Sequence, residues 1–246
     1  MTSNSCFVYI TLPGETMLIT AGKLLIEESV GKFVYGKSYL TRPDAVAIDP
    51  VELKLTDKVY ETAKMSGVFG AIRDASPDHW GRTIIQKRLG RINVSEMEYL
   101  LKSPDDRIGA LGFGLIKTPS TLLHEFNKAL DLEKLQNITD KIIASDYEQQ
   151  ELIQVEELLL LGTSMGGARP KATISDNNHL WLAKFNTDKD LWNYASVEHA
   201  MLKLASLCGL NVAQSRKESI GNKDVLLVKR FDRDGLLRHR MFRYRL

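Results

Sequence analysis

The sequence predicts an α+β protein with a β-rich first part that carries helices and a second small sheet nearer its C-terminal end. Three observations lead there. Short β-branched and aromatic runs broken by glycine crowd the first third of the chain. Apolar spacing near 3.6 residues follows. Short strands then return on either side of one well-marked helix, Ser196 to Cys208.

Taken in order, Cys6 to Leu12 reads as a strand that the turn dipeptide Pro13-Gly14 ends. Met17 to Thr20 and Lys23 to Glu27 read as short strands separated by Ala21-Gly22. Lys32 to Tyr35, bracketed by Gly31 and Gly36, is another. Their close spacing suggests a meander or small barrel. Lys58 to Ser66 and Trp80 to Leu89 have helical spacing, the latter with Asp78 as N-cap and Gly90 as C-cap. Ser95 starts a short helix through Met97, Tyr99, Leu100 and Leu101. From Asp131 the composition shifts to Leu, Ile, Lys, Glu and Gln, and Asp146 to Leu161 is the strongest helix expected in the chain. A boundary between residues 120 and 145 divides the protein into 1–140 and 141–246.

The bulk numbers fit a globular protein: 246 residues, 43% hydrophobic, 26% charged. A net charge of +2 argues neither for nor against a nucleic-acid partner. Two distant cysteines, Cys6 and Cys208, build neither a disulfide framework nor a metal motif, which points to a reducing, cytoplasmic setting. No basic stretch followed by an apolar run opens the chain, and no apolar run approaches a membrane-spanning length.

Chemistry concentrates between Gly162 and Arg233. Gly162-Thr163-Ser164-Met165-Gly166-Gly167-Ala168-Arg169-Pro170-Lys171 can place backbone N–H groups around an anion, with Lys171 adding a point charge. It is not a Walker A sequence, and a helix end with its connector is an equally good reading. A hairpin follows: Ala172 to Ser175, a turn at Asp176-Asn177-Asn178-His179, and Leu180 to Phe185. Lys184 sits inside that second apolar strand, on the face of Leu180 and Leu182; either that face is solvated or the amine has a buried partner. In the helix capped by Ser196, Val197, Met201, Leu204 and Cys208 form an apolar stripe. Glu198 in its first turn either complements the helix dipole or pairs with Lys184. Val225 to Val228 is an apolar strand running into Lys229-Arg230-Phe231-Asp232-Arg233, a hinge beside an adenine or a solvated strand end. A glycine-rich loop, a strand lysine, a helix glutamate and a hinge strand follow the order of a kinase N-lobe. The agreement among them says more than any one.

At this point the sequence resembles the HipA toxins of bacterial toxin–antitoxin systems. The residues that carry the resemblance run from about Phe7 to Arg233. They are Tyr9-Ile10 to Pro13-Gly14, Tyr35-Gly36 to Tyr39-Leu40, Asp44-Ala45 to Asp49-Pro50, and Phe69-Gly70 to Asp74. The most recognisable is Ser76-Pro77-Asp78-His79-Trp80-Gly81-Arg82, and a second signature is Asp105-Asp106-Arg107-Ile108-Gly109-Ala110-Leu111. Ser164 to Lys171 and Lys229 to Arg233 complete the set. The resemblance implies an N-terminal coupling subdomain and a serine/threonine kinase using ATP and Mg²⁺. It implies ATP contacts at Gly166, Gly167, Ala168, Arg169 and Lys171, the strand lysine Lys184, its ion-pair partner Glu198, and an adenine hinge at Lys229, Arg230 and Phe231. Ser164 matches the autophosphorylated serine, whose added charge would repel ATP. It implies a HipB-type helix-turn-helix antitoxin as partner, DNA reached only through that antitoxin, and aminoacyl-tRNA synthetases as substrate class.

One departure is expected. The catalytic aspartate and Mg²⁺ ligands of such kinases lie in a helical C-terminal lobe beyond the hinge. The chain ends at Leu246, and Asp232 and Asp234 do not replace that lobe. The tail Arg238 to Leu246 reads as foreign to the family, a truncation scar rather than a nucleic-acid-binding arginine cluster. The readings left are a kinase half that works with a separate C-lobe and a binding module without chemistry. An N-lobe without its partner lobe is expected to expose apolar surface.

Overall fold

The structure is a computed structural model and describes residues 3–119, 127–128, 131–144 and 167–241. Helices and two five-stranded, largely antiparallel sheets make up a mixed α and β protein. The first sheet has the order β4-β3-β2-β1-β5, from β1 (Ser5–Thr11), β2 (Leu18–Glu27), β3 (Val30–Tyr35), β4 (Tyr60–Thr62) and β5 (Leu111–Gly114). Alternation in β3 sends Phe33 and Tyr35 into the core while Lys32 and Val34 face outward. Around this sheet lie α1 (Lys37–Leu40), α2 (Gly70–Asp74), α3 (His79–Leu89) and α4 (Glu96–Lys102). Val8, Ile10, Leu24, Phe33, Ile72 and Leu100 belong to one buried cluster there.

The second sheet has the order β6-β7-β8-β10-β9. Its strands are β6 (Asn127–Lys128), β7 (Lys171–Asp176), β8 (His179–Phe185), β9 (Ser215–Ile220) and β10 (Lys223–Lys229), flanked by α5 (Leu132–Ala144) and α6 (Tyr194–Leu207). β6 pairs in parallel with β7, and the other pairs are antiparallel. Asn177 and Asn178, with φ of 48° and 61°, close the β7–β8 hairpin as a two-residue turn with both residues left-handed, which asparagine tolerates. A second buried cluster joins Ala172, Ile174, Ala183, Phe185, Val225 and Leu227 of this sheet to Leu135 and Ile138 of α5. It also takes in Trp80, Ile84 and Ile85 of α3 and Tyr99 of α4, whose Met97 and Leu100 lie in the first cluster, so α4 is shared between the halves. A short hairpin, β11 (Arg233–Asp234) with β12 (Leu237–Arg238), follows β10.

Several expectations change. Ala21-Gly22 does not separate two strands: β2 runs straight through, with a register shift opposite Val8 and Tyr9. Glycine is required there because a Cβ on Gly22 would fall 2.3 Å from the Val34 carbonyl oxygen. Lys58 to Ser66 is not a helix. Tyr60–Thr62 pairs with Gly31–Phe33 as an edge strand, followed by a short 3₁₀ turn, Lys64–Ser66. Neighbouring strand edges outweighed an apolar spacing that a short segment satisfies by chance. α6 starts earlier than Ser196: Asn193 is its N-cap, its side chain accepting from the Ser196 amide. The expected helix at 146–161 lies outside the described residues, as do Ser164 and Gly166.

The tail is also corrected. Arg238 is half-buried, the Arg240 guanidinium donates to the Ala47 carbonyl, and Met241 packs on Gly109. Residues 238–241 are therefore part of the fold, seated on the N-terminal half.

Candidate functional site

The candidate site is the face of the second sheet covered by α6. Lys184, near the end of β8, sends its ammonium 2.5 Å from Oε1 of Glu198, one turn into α6. β8 is central, with Leu182, Ala183 and Phe185 all buried, and Lys184, partly exposed, meets α6 through Glu198. Glu198 is held in place by the seating of α6. Asn186, just after β8, accepts the Ala195 amide through Oδ1 and donates through Nδ2 to Asn193 Oδ1 at 2.7 Å. Asp224 on β10 accepts from Asn193 Nδ2, Ser196 Oγ and Lys217 Nζ at 2.5, 2.9 and 2.8 Å, and from Ser219 Oγ at 2.6 Å. The Lys217 and Ser219 contacts hold its carboxyl far below the usual carboxylate range.

Lys171 points elsewhere. It lies directly across the β7–β8 ladder from Lys184, yet its ammonium donates to Asp78 Oδ2 at 2.6 Å and to the Gly167 carbonyl at 3.1 Å. Both side chains of this pair are buried, 2% and 5% exposed. Burial pushes the Asp78 carboxyl up and the Lys171 ammonium down, each opposed by the partner's charge. Arg169 is also engaged: it grips Asp190 with Nη1 at 3.1 Å and Nη2 at 2.5 Å and lies 4.3 Å over the Tyr194 ring. Gly167 has φ of +96°, a conformation glycine adopts freely, and Ala168 beside it is exposed.

The hinge segment splits in two. Phe231 is 62% exposed and Lys229 half-buried at the end of β10, and both are accessible from outside. Arg230 is not. Its fully buried guanidinium donates to Asp106 Oδ1 at 2.5 Å, to Asp232 Oδ1 and Oδ2 at 2.9 and 2.8 Å, and to Thr173 Oγ1 and the Arg107 carbonyl at 3.3 Å each. Asp232 Oδ2 accepts the Gly109 amide at 2.9 Å, and Arg233 reaches the Arg107 and Gly109 carbonyls at 2.5 and 3.0 Å. The segment 105–109 and the segment 230–233 thus clamp each other across the two halves.

The structure brings Lys184 and Glu198 together and sets Gly167 beside Lys171. It does not bring Arg169, Lys171 or Arg230 to an open anion-binding face. Sequence reasoning missed the Asp78–Lys171 pair and the clamp. Asp78 was visible only as a helix cap, and a partner 93 residues away leaves no local signal. Among the described residues no three His, Cys, Asp or Glu side chains gather where they would hold a metal. No helix among them is long and apolar enough to cross a membrane.

α6 also turns an apolar face outward. Val197, Met201, Leu204 and Leu207 are 48%, 58%, 53% and 85% exposed, while Ala195 is the buried residue of the helix. The stripe faces out because the other side of the helix, with Glu198 and His199, lies on the sheet. Cys208 caps the helix end and is exposed.

Residues 18–114 match the family model described as the HipA N-terminal domain, and residues 163–244 match the HipA-like C-terminal domain. The second match runs through the tail that the sequence reading set apart as foreign. No curated protein matches the sequence. Among solved structures, the chain is similar to one described as the HipA, HipB and operator DNA complex of a toxin–antitoxin system from Shewanella oneidensis MR-1. The TM-score is 0.51 at 16% identity, and the match covers 93% of this chain and 51% of the other, so this chain spans about half its length. That likeness is one of fold. With both domain models matched in order along one chain, the protein belongs to the HipA family.

Proposed function

We propose that the protein is a HipA-like toxin component of a bacterial toxin–antitoxin system and that its second sheet is the nucleotide-binding, kinase-like N-lobe of a serine/threonine kinase. The observation that supports this best is the ion pair of Lys184 with Glu198, a strand lysine oriented by a helix glutamate inside the matched C-terminal domain. ATP, when bound, supplies the phosphoryl group to be transferred. The chain's own share is to orient the Lys184 ammonium toward phosphate oxygens through Glu198, to offer backbone amides from the loop that ends at Gly167, and to offer the exposed Phe231 ring to a base. Catalytic carboxylates and Mg²⁺ ligands would come from a C-terminal helical lobe, on this chain's continuation or on a separate polypeptide. A HipB-like antitoxin is the proposed partner, with DNA contacted through it, in the cytoplasm. An aminoacyl-tRNA synthetase is the proposed substrate.

The test is ATP titration of the purified chain and of Lys184→Met, alongside intact-mass detection of a phosphate mapped to Ser164. Wild type is expected to bind ATP, and the variant to bind at least about tenfold more weakly, since one charge-assisted contact is worth roughly 1.5–3 kcal/mol. Equal affinity in both would sink the reading.

A second reading is a binding module without chemistry, favoured by the outward apolar face of α6. No phosphate on Ser164 in the presence of a C-lobe polypeptide, together with a stable complex with a purified HipB-like antitoxin, would select it.

A further inference from the structure

We infer that Lys171 is a positioning residue and that, with Asp78, it ties the Gly167 end of the glycine-rich loop to the N-terminus of α3. The inference deepens the nucleotide-site reading and rests on it for one of its two readouts. Asp78 uses its two carboxylate oxygens in the two halves of the protein. Oδ1 accepts the Gly81 amide at 2.8 Å and closes the first turn of α3, while Oδ2 takes the Lys171 ammonium at 2.6 Å. A second donor of that ammonium goes to the Gly167 carbonyl at 3.1 Å, so two of its three N–H groups are committed.

A lysine that left this place for a ligand phosphate would strand a carboxylate that is 5% exposed. Its neighbour across the ladder has no such restraint: Lys184 is 27% exposed. The two adjacent lysines therefore divide the work, Lys184 facing the ligand side and Lys171 fixing the loop. Ser76-Pro77-Asp78-His79-Trp80-Gly81-Arg82 then acts on the loop from the far half of the chain. Asp78 supplies the tie, and Trp80 joins the buried cluster that holds Ala172 and Ile174 of β7.

The experiment uses Asp78→Ser, which keeps an N-cap oxygen but falls short of Lys171, together with Lys171→Met and the double variant. Hydrogen exchange at residues 167–171 is read against exchange in β10, and ATP affinity is measured by titration. Both single variants are expected to speed exchange at 167–171 by about tenfold with β10 unchanged. Each should weaken ATP by a similar factor, and the double variant should be no worse than the weaker single, because all three break one tie. Asp78→Ser binding ATP as wild type or tighter, while Lys171→Met binds weakly, would show that Lys171 is itself the phosphate ligand and would overturn the inference. Unchanged exchange at 167–171 in both singles would do the same. If wild type binds no ATP the nucleotide reading fails, and the exchange arm still decides whether the tie exists. If Asp78→Ser loosens β10 as well, the neutral pair Asp78→Asn with Lys171→Met is read in its place by the same criteria.

Discussion

Replacing Arg230 with methionine should destabilise the protein by about 3–5 kcal/mol, the usual cost of removing one partner of a buried ion pair. The cost is unevenly shared. Asp232 keeps Arg233 Nη1 at 2.6 Å and the Gly109 amide at 2.9 Å. Asp106 fares worse: its Oδ1 loses the 2.5 Å contact and keeps Arg233 Nη2 at 4.0 Å, while its Oδ2 already lacks a hydrogen-bond partner. Both aspartate side chains have 0% exposure, so water cannot take over. Most of the loss therefore comes from Asp106, and Arg230→Met with Asp106→Asn should recover at least half of it. Urea unfolding followed by far-UV circular dichroism checks this. With m of about 2–3 kcal/mol/M, the single variant should lower the midpoint by roughly 1–2 M. A loss under about 1 kcal/mol in the single variant, or a double variant no better than the single, would refute the clamp. Weaker ATP binding at unchanged stability would instead return Arg230 to the hinge role its motif implies.

Other outcomes are specific. Burial pushes the Glu96 carboxyl up, but the Arg82 fork at 2.9 and 2.6 Å and Arg73 at 2.7 Å outweigh it and hold it below the usual glutamate range. Its folded-state pKa is depressed, so its contribution is complete above the unfolded value of about 4.3 and is lost as pH falls through the folded-state value. Thermal scans from pH 6 downward should show that slope, and Glu96→Gln should flatten it. Gly31→Ala should destabilise strongly, because a Cβ there falls 1.8 Å from the Gly67 carbonyl oxygen, backbone that cannot step aside; a melting point within a degree of wild type would contradict this. Phe33→Ala, at 0% exposure and 4.9 Å edge-to-face from Tyr35, should cost about 3–5 kcal/mol by chemical denaturation. Met201→Glu with Leu204→Glu on the outward face of α6 should reduce concentration-dependent association in light scattering at unchanged melting temperature.

Features with a local cause were legible in the sequence. Asp78 and Gly90 bracket α3 as cap residues do, and Ser95 with Glu98 forms a capping box. The two asparagines close the β7–β8 hairpin. Lys184 stood out because an amine in an apolar strand needs a partner. What resisted reading depends on contacts made far along the chain. Tyr60 became an edge strand because β3 was there to pair with it. Arg230 looked like a hinge residue because one of the two aspartates that fix it, Asp106, lies 124 positions away. Apolar spacing located the stripe on α6, but periodicity gives a face without saying which way it turns.

The two cysteines differ enough to make the protein its own labelling system. Burial pushes the Cys6 thiol up to about 12, so it stays protonated and enclosed at neutral pH. Cys208 lies open at the end of α6. A maleimide dye will therefore attach at one point without any substitution. That point adjoins the outward apolar face, so binding of any protein there will be read directly in the dye's fluorescence anisotropy.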